Sequence, residues 1–309
     1  MRIAVVGAGG VGGYFGGRLA AAGADVTFLA RGAQLEALRT RGLTVHSFRG
    51  DFHLPRVNAV DDPRAIGPVD IVFFTVKLYD AEAATALLPP LVGADTAVIP
   101  LQNGVDGVDI VSRAVGARHT AGGTVYVAAV VAEPGVIRHS ALDHLIFGEL
   151  DGTRSARLDR LLEVCTPAGF QVTLSPSITS DIWTKFVRLS VFSGMTAVTR
   201  CPIGPIVADA ELFAMLKSAT RETMAVARAK GVALPDAVVD DVDRSYRALP
   251  AHMKSSMLED LERGRRLELP WLSGAVVRIG REAGVPTPTH DFIAAVLKPH
   301  VNGSNARTA

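Results

Sequence analysis

The spacing of apolar positions changes about midway along the chain. In the first half, short apolar runs alternate with stretches of helical period. "RIAVVG" at the N-terminus has the β-branched, unbroken character of a buried strand, and Gly7 closes it. Gly10 to Ala22 predicts a helix with small residues on its inner face, and "DVTFLA" predicts a second strand. "QLEALRTRG" predicts a helix stopped by Gly42. "LTVHSF" and "DFHLPRV" flank "RG" as a hairpin inserted into the alternation. "VDIVFFTVK" is apolar almost throughout, as a central strand must be, and "DAEAATALLPPL" follows it as a helix. "TAVIPLQNG" predicts a strand and its exit loop, and "TVYVAAVVAEPGVIRHSALDHLIFG" predicts antiparallel strands about a Pro-Gly turn. This order implies a Rossmann-type, doubly wound parallel sheet with an antiparallel extension.

Beyond "TLSPSITSD" the period-2 signal stops. "IWTKFVRLSVFSGMTAVT", "DAELFAMLKSATRETMAVARAKG", "PDAVVDDVDRSYRAL", "SSMLEDLERGRR" and "PWLSGAVVRIGREAG" all read as helices. The expected organisation is a nucleotide-binding domain over 1–176 and an all-helical domain over 177–309. The tail "VNGSNARTA", from about residue 300, is expected to be disordered.

Composition narrows the function classes. With 309 residues there is room for two domains, each with a core of its own. Lys and Arg number 32 against 31 Asp and Glu, so no global field draws the chain to nucleic acid or to an anionic membrane. Cys165 and Cys201 lie far apart, which fits neither a disulfide framework nor a metal site, and a reducing cytoplasm suits the chain. "IAVVGAGGVGG" is too short and too rich in glycine for a leader or a membrane helix.

The turn Gly7, Ala8, Gly9, Gly10, Val11, Gly12 contains GxGxxG. Its context gives it weight, because it follows a buried strand and opens a small-residue helix. The first glycine permits the tight turn. The second lets backbone approach a pyrophosphate, and the third lets helix and strand pack closely. Arg31 follows Gly12 by 19 residues, at the end of the second strand, where an acid would read a ribose 2′-OH. A guanidinium there pairs with a 2′-phosphate instead, so the cofactor expected is NADPH. Lys77 ends "VFFTVK" and Asn103 sits in "PLQNG", both at carboxyl ends of strands, where open α/β sheets take ligands.

In order, "GAGGVG", "LARG", "TVK" and "LQNG", joined by "WTKF", "TAVTRCPIG" and "SSMLEDLERGRRLELPWLSG", resemble the ketopantoate reductase (2-dehydropantoate 2-reductase) family. The resemblance runs to about Pro288. It implies a Rossmann domain joined to a helical domain, and NADPH-dependent reduction of the 2-keto group of ketopantoate to pantoate, a step toward pantothenate and coenzyme A. By position it implies that Lys185 is the catalytic lysine and Glu268 the glutamate that works with it. It implies further that Ser256 takes the substrate carboxylate, that Asn103 touches cofactor and substrate, and that Lys77 and Ala128 lie on the cofactor. The chemistry suits these types, because an ammonium stabilises the negative charge that builds on the keto oxygen and supplies its proton. No metal is required, and the helical half could support a homodimer.

The departures from the family pattern are specific. Where the family's lysine helix presents asparagines one and two turns beyond the lysine, this chain has Leu189 and Ser193. A third family asparagine, three residues before the serine, is Met253. Residues 185, 189 and 193 share a helix face, so the pocket's far end is expected to be less polar than the family's. The departures bear on the substrate's identity more than on the reaction. Two alternatives follow: a sister NADPH-dependent reductase of a more apolar 2-keto acid, and a non-enzymatic NADPH sensor.

Overall fold

The computed structural model describes residues 1–304. In chain order the elements are β1 (Arg2–Val6), α1 (Gly10–Ala21), β2 (Asp25–Leu29), α2 (Gly32–Arg41), β3 (Leu43–Ser47), β4 (Phe52–Leu54), β5 (Asn58–Val60), β6 (Val69–Phe74), α3 (Leu78–Ala84), β7 (Val92–Pro100), α4 (Asp106–Val115), β8 (Gly122–Glu133), β9 (Val136–Gly148), α5 (Ala156–Cys165), β10 (Gln171–Leu174), α6 (Ile178–Thr199), α7 (Ile203–Ala208), α8 (Ala210–Ala229), α9 (Ala237–Ala248), α10 (Ser256–Glu262), α11 (Ser273–Ala283) and α12 (Pro288–Leu297). They fall into two units, Met1–Gln102 with Asp106–Asp181, and Asn103–Val105 with the chain from Ile182 onward.

The first unit is built on a five-stranded sheet in the order β5-β2-β1-β6-β7. Every pairing in it is parallel. β1 and β6 are central and nearly continuously apolar, because a parallel strand in this position is covered on both faces. The strand order reverses between them, so the turns at residues 7–12 and 75–77 open at the switch point of the sheet. α1 approaches the sheet as closely as glycine allows. A Cβ on Gly12 would stand 2.2 Å from the Gly7 carbonyl oxygen. Gly7 has φ +103°, a conformation that side chains with a Cβ seldom adopt.

The antiparallel extension is a sheet of its own. β8 and β9 pair along almost their whole length about the Pro134-Gly135 turn. β9 also takes β3 at residues 136–139 and β10 at residues 144–147. The hairpin expected over residues 43–57 is β3 and β4, and it joins this second sheet rather than the parallel one. β5 is three residues long and completes the parallel sheet beside β2. α3 ends at Ala84, and the remainder of "DAEAATALLPPL" forms two 3-10 turns, since Pro89 and Pro90 cannot donate to a helix. α4, α5, α7, α12, β5 and β10 are absent from the expected set, and of these β5, β10 and α7 are too short for a spacing pattern to stand out.

α6 starts within the first unit. Ile178 lies against Gly122 and Gly148, where an added Cβ would meet its side chain at 2.8 Å and 3.2 Å. Asp181 accepts a hydrogen bond from Ser175 Oγ. The division between units therefore falls about one turn inside this helix. The second unit contains no strand among its described residues. Its core gathers Phe186, Val187 and Val191 of α6 with Leu216 of α8, Tyr246 of α9 and Ile279 of α11. Part of the tail expected to be disordered is held: Leu267 N–H donates to Val301 O at 2.9 Å, and Ser304 N–H donates to Gly264 O at 3.0 Å. The rest of that tail lies outside the described residues.

Candidate active site

The glycine turn has the form of an anion cradle. α1 starts at Gly10 and no side chain caps it, so the first N–H groups of the helix are left for an outside acceptor. A Cβ on Gly9 would meet nothing within 4 Å, so the turn faces open space there. On its other flank the turn is closed, since a Cβ on Gly10 would stand 2.1 Å from the Ala129 carbonyl oxygen. β8 thus runs beside the turn, with the exposed Ala128 at a shift in register. Ala8 is buried, and Val11 packs on the core of this unit.

Arg31 precedes α2 in extended conformation and its side chain is 88% exposed. Its Nη2 pairs with Asp80 Oδ2 at 3.1 Å. A solvated pair of this kind is worth about 0.2–1 kcal/mol, so Asp80 holds the guanidinium only weakly. Lys77 is exposed at the start of α3 and has an interaction of its own.

In the second unit, Lys185, Asn103 and Glu268 form a string. Lys185 Nζ donates to Asn103 Oδ1 at 3.1 Å, and Asn103 Nδ2 donates to Glu268 Oε2 at 3.4 Å. The order cation, amide, carboxylate fixes which way the amide faces, because only its oxygen can accept from an ammonium. α6 presents Lys185 on its second turn, and Glu268, 5% exposed, sits at the start of the short turn Leu269–Trp271. Burial pushes the Lys185 ammonium down from its ordinary value to about 8, while the charge of Glu268 pulls it back up. An amine with a pKa near neutrality can hold a proton and release it, as a general acid must.

The far-end residues separate. Leu189, one turn beyond Lys185, is partly buried and rests on the core, as does Met253. Ser193 is fully buried and its Oγ has no hydrogen-bond partner. The third member of the expected Lys-Leu-Ser face is thus enclosed, with a hydroxyl that lacks a protein partner. Ser256 is exposed at the first position of α10, but the residue that caps the helix is Ser255. Ser255 Oγ accepts from Leu258 N–H at 3.0 Å and meets Thr196 Oγ1 at 2.7 Å.

Two residues near the glycine turn are not identified by sequence reasoning. Thr75 Oγ1 donates to Gly7 O at 2.6 Å, and Asp80 holds Arg31. Thr75 has the one available signal, a hydroxyl at the end of a central strand. Asp80 has none, since its partner is 49 positions away.

A sequence model described as "Ketopantoate reductase PanE/ApbA" matches residues 3–152, and its C-terminal counterpart matches residues 177–301. A 2-dehydropantoate 2-reductase of Mesorhizobium japonicum is 33% identical, with 96% of this chain and 97% of that protein covered. An uncharacterized oxidoreductase of Bacillus subtilis, YkpB, is 31% identical, with 96% and 98% covered. The crystal structure of 2-dehydropantoate 2-reductase from Geobacter metallireducens GS-15 superposes with a TM-score of 0.90 at 31% identity, covering 97% of this chain and 99% of that one.

Proposed function

The chain belongs to the ketopantoate reductase family of oxidoreductases, and from that premise we propose that it reduces 2-dehydropantoate to pantoate with NADPH. The observation that carries this reading is the Lys185–Asn103–Glu268 string, in which a lysine of lowered pKa is held by an amide that a buried carboxylate orients. The uncapped start of α1 and the open space at Gly9 fit a pyrophosphate. The exposed fork of Arg31 fits a 2′-phosphate.

When bound, NADPH supplies a hydride to the keto carbon. Lys185 does the remaining acid–base work. Its ammonium faces the negative charge that builds on the keto oxygen and hands over a proton from Nζ. Asn103 keeps that ammonium in place through Oδ1, and Glu268 favours its protonated form. Ser256 takes the substrate carboxylate, Lys77 adds a cation on the cofactor side, and the backbone at Ala128 borders the nicotinamide end. The place of the reaction is the pathway to pantothenate and coenzyme A, in the cytoplasm.

A second reading rests on Leu189 and the buried Ser193: the same chemistry on a 2-keto acid with a more apolar tail. NADPH oxidation against a panel of 2-keto acids tests both. Highest kcat/KM with 2-dehydropantoate supports the first reading, and highest kcat/KM with an unhydroxylated branched acid supports the second. NADPH binding without turnover of any member overturns both and leaves a sensor.

A further inference from the structure

Gln34 lies on α2, one turn beyond Arg31, and its side-chain amide spans two separate segments. Its Nε2 donates to the Ala8 carbonyl oxygen at 2.8 Å, and its Oε1 accepts from the Gly135 N–H at 3.0 Å. Those partners lie 26 and 101 positions away along the chain. Gly135 is the turn of the β8–β9 hairpin, which α2 receives on one face: Ala37 stands beside Gly135, and Arg41 Nη2 donates to the Pro134 carbonyl at 2.9 Å.

The bond to Ala8 has a consequence for the glycine turn. No peptide bond among the described residues is cis. In a trans peptide the C=O and the N–H point in opposite directions, so whatever holds the Ala8 carbonyl also aims the Gly9 N–H. Gln34 draws that carbonyl toward α2, and the Gly9 N–H consequently faces the other way. Thr75 acts likewise on the preceding peptide, drawing in the Gly7 carbonyl at 2.6 Å and so aiming the Ala8 N–H. Were either peptide to flip, a carbonyl oxygen would replace an N–H at the anion cradle and repel a pyrophosphate.

We propose that Gln34 is a positioning residue for the dinucleotide: through one amide it sets the Ala8–Gly9 peptide for the pyrophosphate and fixes β8 and the Arg31 helix to the same turn. The inference rests on the dinucleotide reading of the turn and goes beyond it. Because the pyrophosphate is common to both dinucleotides, Gln34 serves NADPH and NADH alike, whereas Arg31 distinguishes them.

The test is dissociation constants for NADPH and NADH by cofactor fluorescence, with thermal melting and steady-state kinetics, on Gln34→Ala, Gln34→Glu and Arg31→Ala. Gln34→Glu keeps the acceptor for Gly135 but sets a carboxylate oxygen against the Ala8 carbonyl, so it isolates the aim of the peptide even if Gln34→Ala folds poorly. The expected result is about tenfold weaker binding of both dinucleotides by Gln34→Glu, from the loss of one hydrogen bond and the repulsion that replaces it. KM for NADPH should rise with it, while kcat at saturating NADPH and KM for the keto acid stay as in the parent. Arg31→Ala should weaken NADPH alone. A folded Gln34→Glu that binds both dinucleotides within twofold of the parent overturns the inference and leaves the cofactor reading standing. A parent protein that binds neither dinucleotide overturns the cofactor reading itself and the inference with it.

Discussion

Lys185 Nζ donates to Asn103 Oδ1 at 3.1 Å, although the two residues are 82 positions apart in the chain. Asn103 is one of three residues that leave the first stretch to join the helical unit. The pairing joins Asn103 to a lysine whose pKa burial lowers to about 8.

That acidity predicts a pH profile. In the proposed mechanism Lys185 is the general acid, so its protonated form is the active one. With a pKa near 8, that form is depleted as pH rises through 8, and kcat/KM of the parent should fall there with the loss of one proton. The charge of Glu268 opposes the lowering, so Glu268→Gln should move the alkaline limb to lower pH. A limb that stays in place in Glu268→Gln would count against the string as the acid–base unit.

Removing the lysine tests the role directly. Lys185→Ala should lower kcat by roughly 10²–10⁴, the range for a lost general acid. The affinity for NADPH should hardly change, because the glycine turn and Arg31 both belong to the first unit. Single-turnover kinetics at saturating cofactor makes the measurement, and retention of more than about a tenth of the parental rate would mean the role is misassigned.

Arg31 should govern cofactor choice. A hydrogen-bonded guanidinium–phosphate pair contributes about 1.5–3 kcal/mol, so NADPH should exceed NADH by tenfold or more in kcat/KM. Arg31→Glu should erode or invert that ratio. Equal use of the two cofactors by the parent would refute the assignment.

Leu189 should set substrate tolerance. A hydroxyl buried against Leu without a partner costs about 1–3 kcal/mol. A branched 2-keto acid without the hydroxyl, such as 2-ketoisovalerate, should therefore be disfavoured against ketopantoate by about tenfold or less, where a site built to bond the hydroxyl can reach ~10⁴. Leu189→Asn should restore some preference for ketopantoate. Strong ketopantoate selectivity in the parent, unaltered by Leu189→Asn, would contradict the placement of Leu189 on the substrate.

His290 should make the helical unit sensitive to acid. It is fully buried, with Nε2 at 2.9 Å from Thr223 Oγ1 and 3.1 Å from Ala219 O. Burial lowers its pKa from 6.5 to about 4, against the opposing pull of Glu222 and Asp291. Between those values the unfolded chain binds a proton that the folded chain does not. The stability is therefore complete above about 6.5 and is lost as pH falls toward 4. Thermal melting across that window should show the fall, and His290→Asn should flatten it.

The sequence by itself determined whatever depends on near neighbours. Runs such as "VDIVFFTVK" can be satisfied only as covered strands. The spacing of Gly7, Gly9 and Gly12 after "RIAVV" specifies a turn that backbone geometry alone demands, and Arg31 follows at the end of the second strand. Lys185 and Glu268 carry no local pattern, and only the family resemblance drew attention to them. Tertiary structure decided where polar groups find distant partners. It sent the hairpin of residues 43–54 to β9 instead of the parallel sheet, because a short strand pairs with whichever open edge it meets. It also gave Gln34 its two partners and enclosed Ser193. A helical period states which residues share a face. What covers that face is settled only when the other helices arrive.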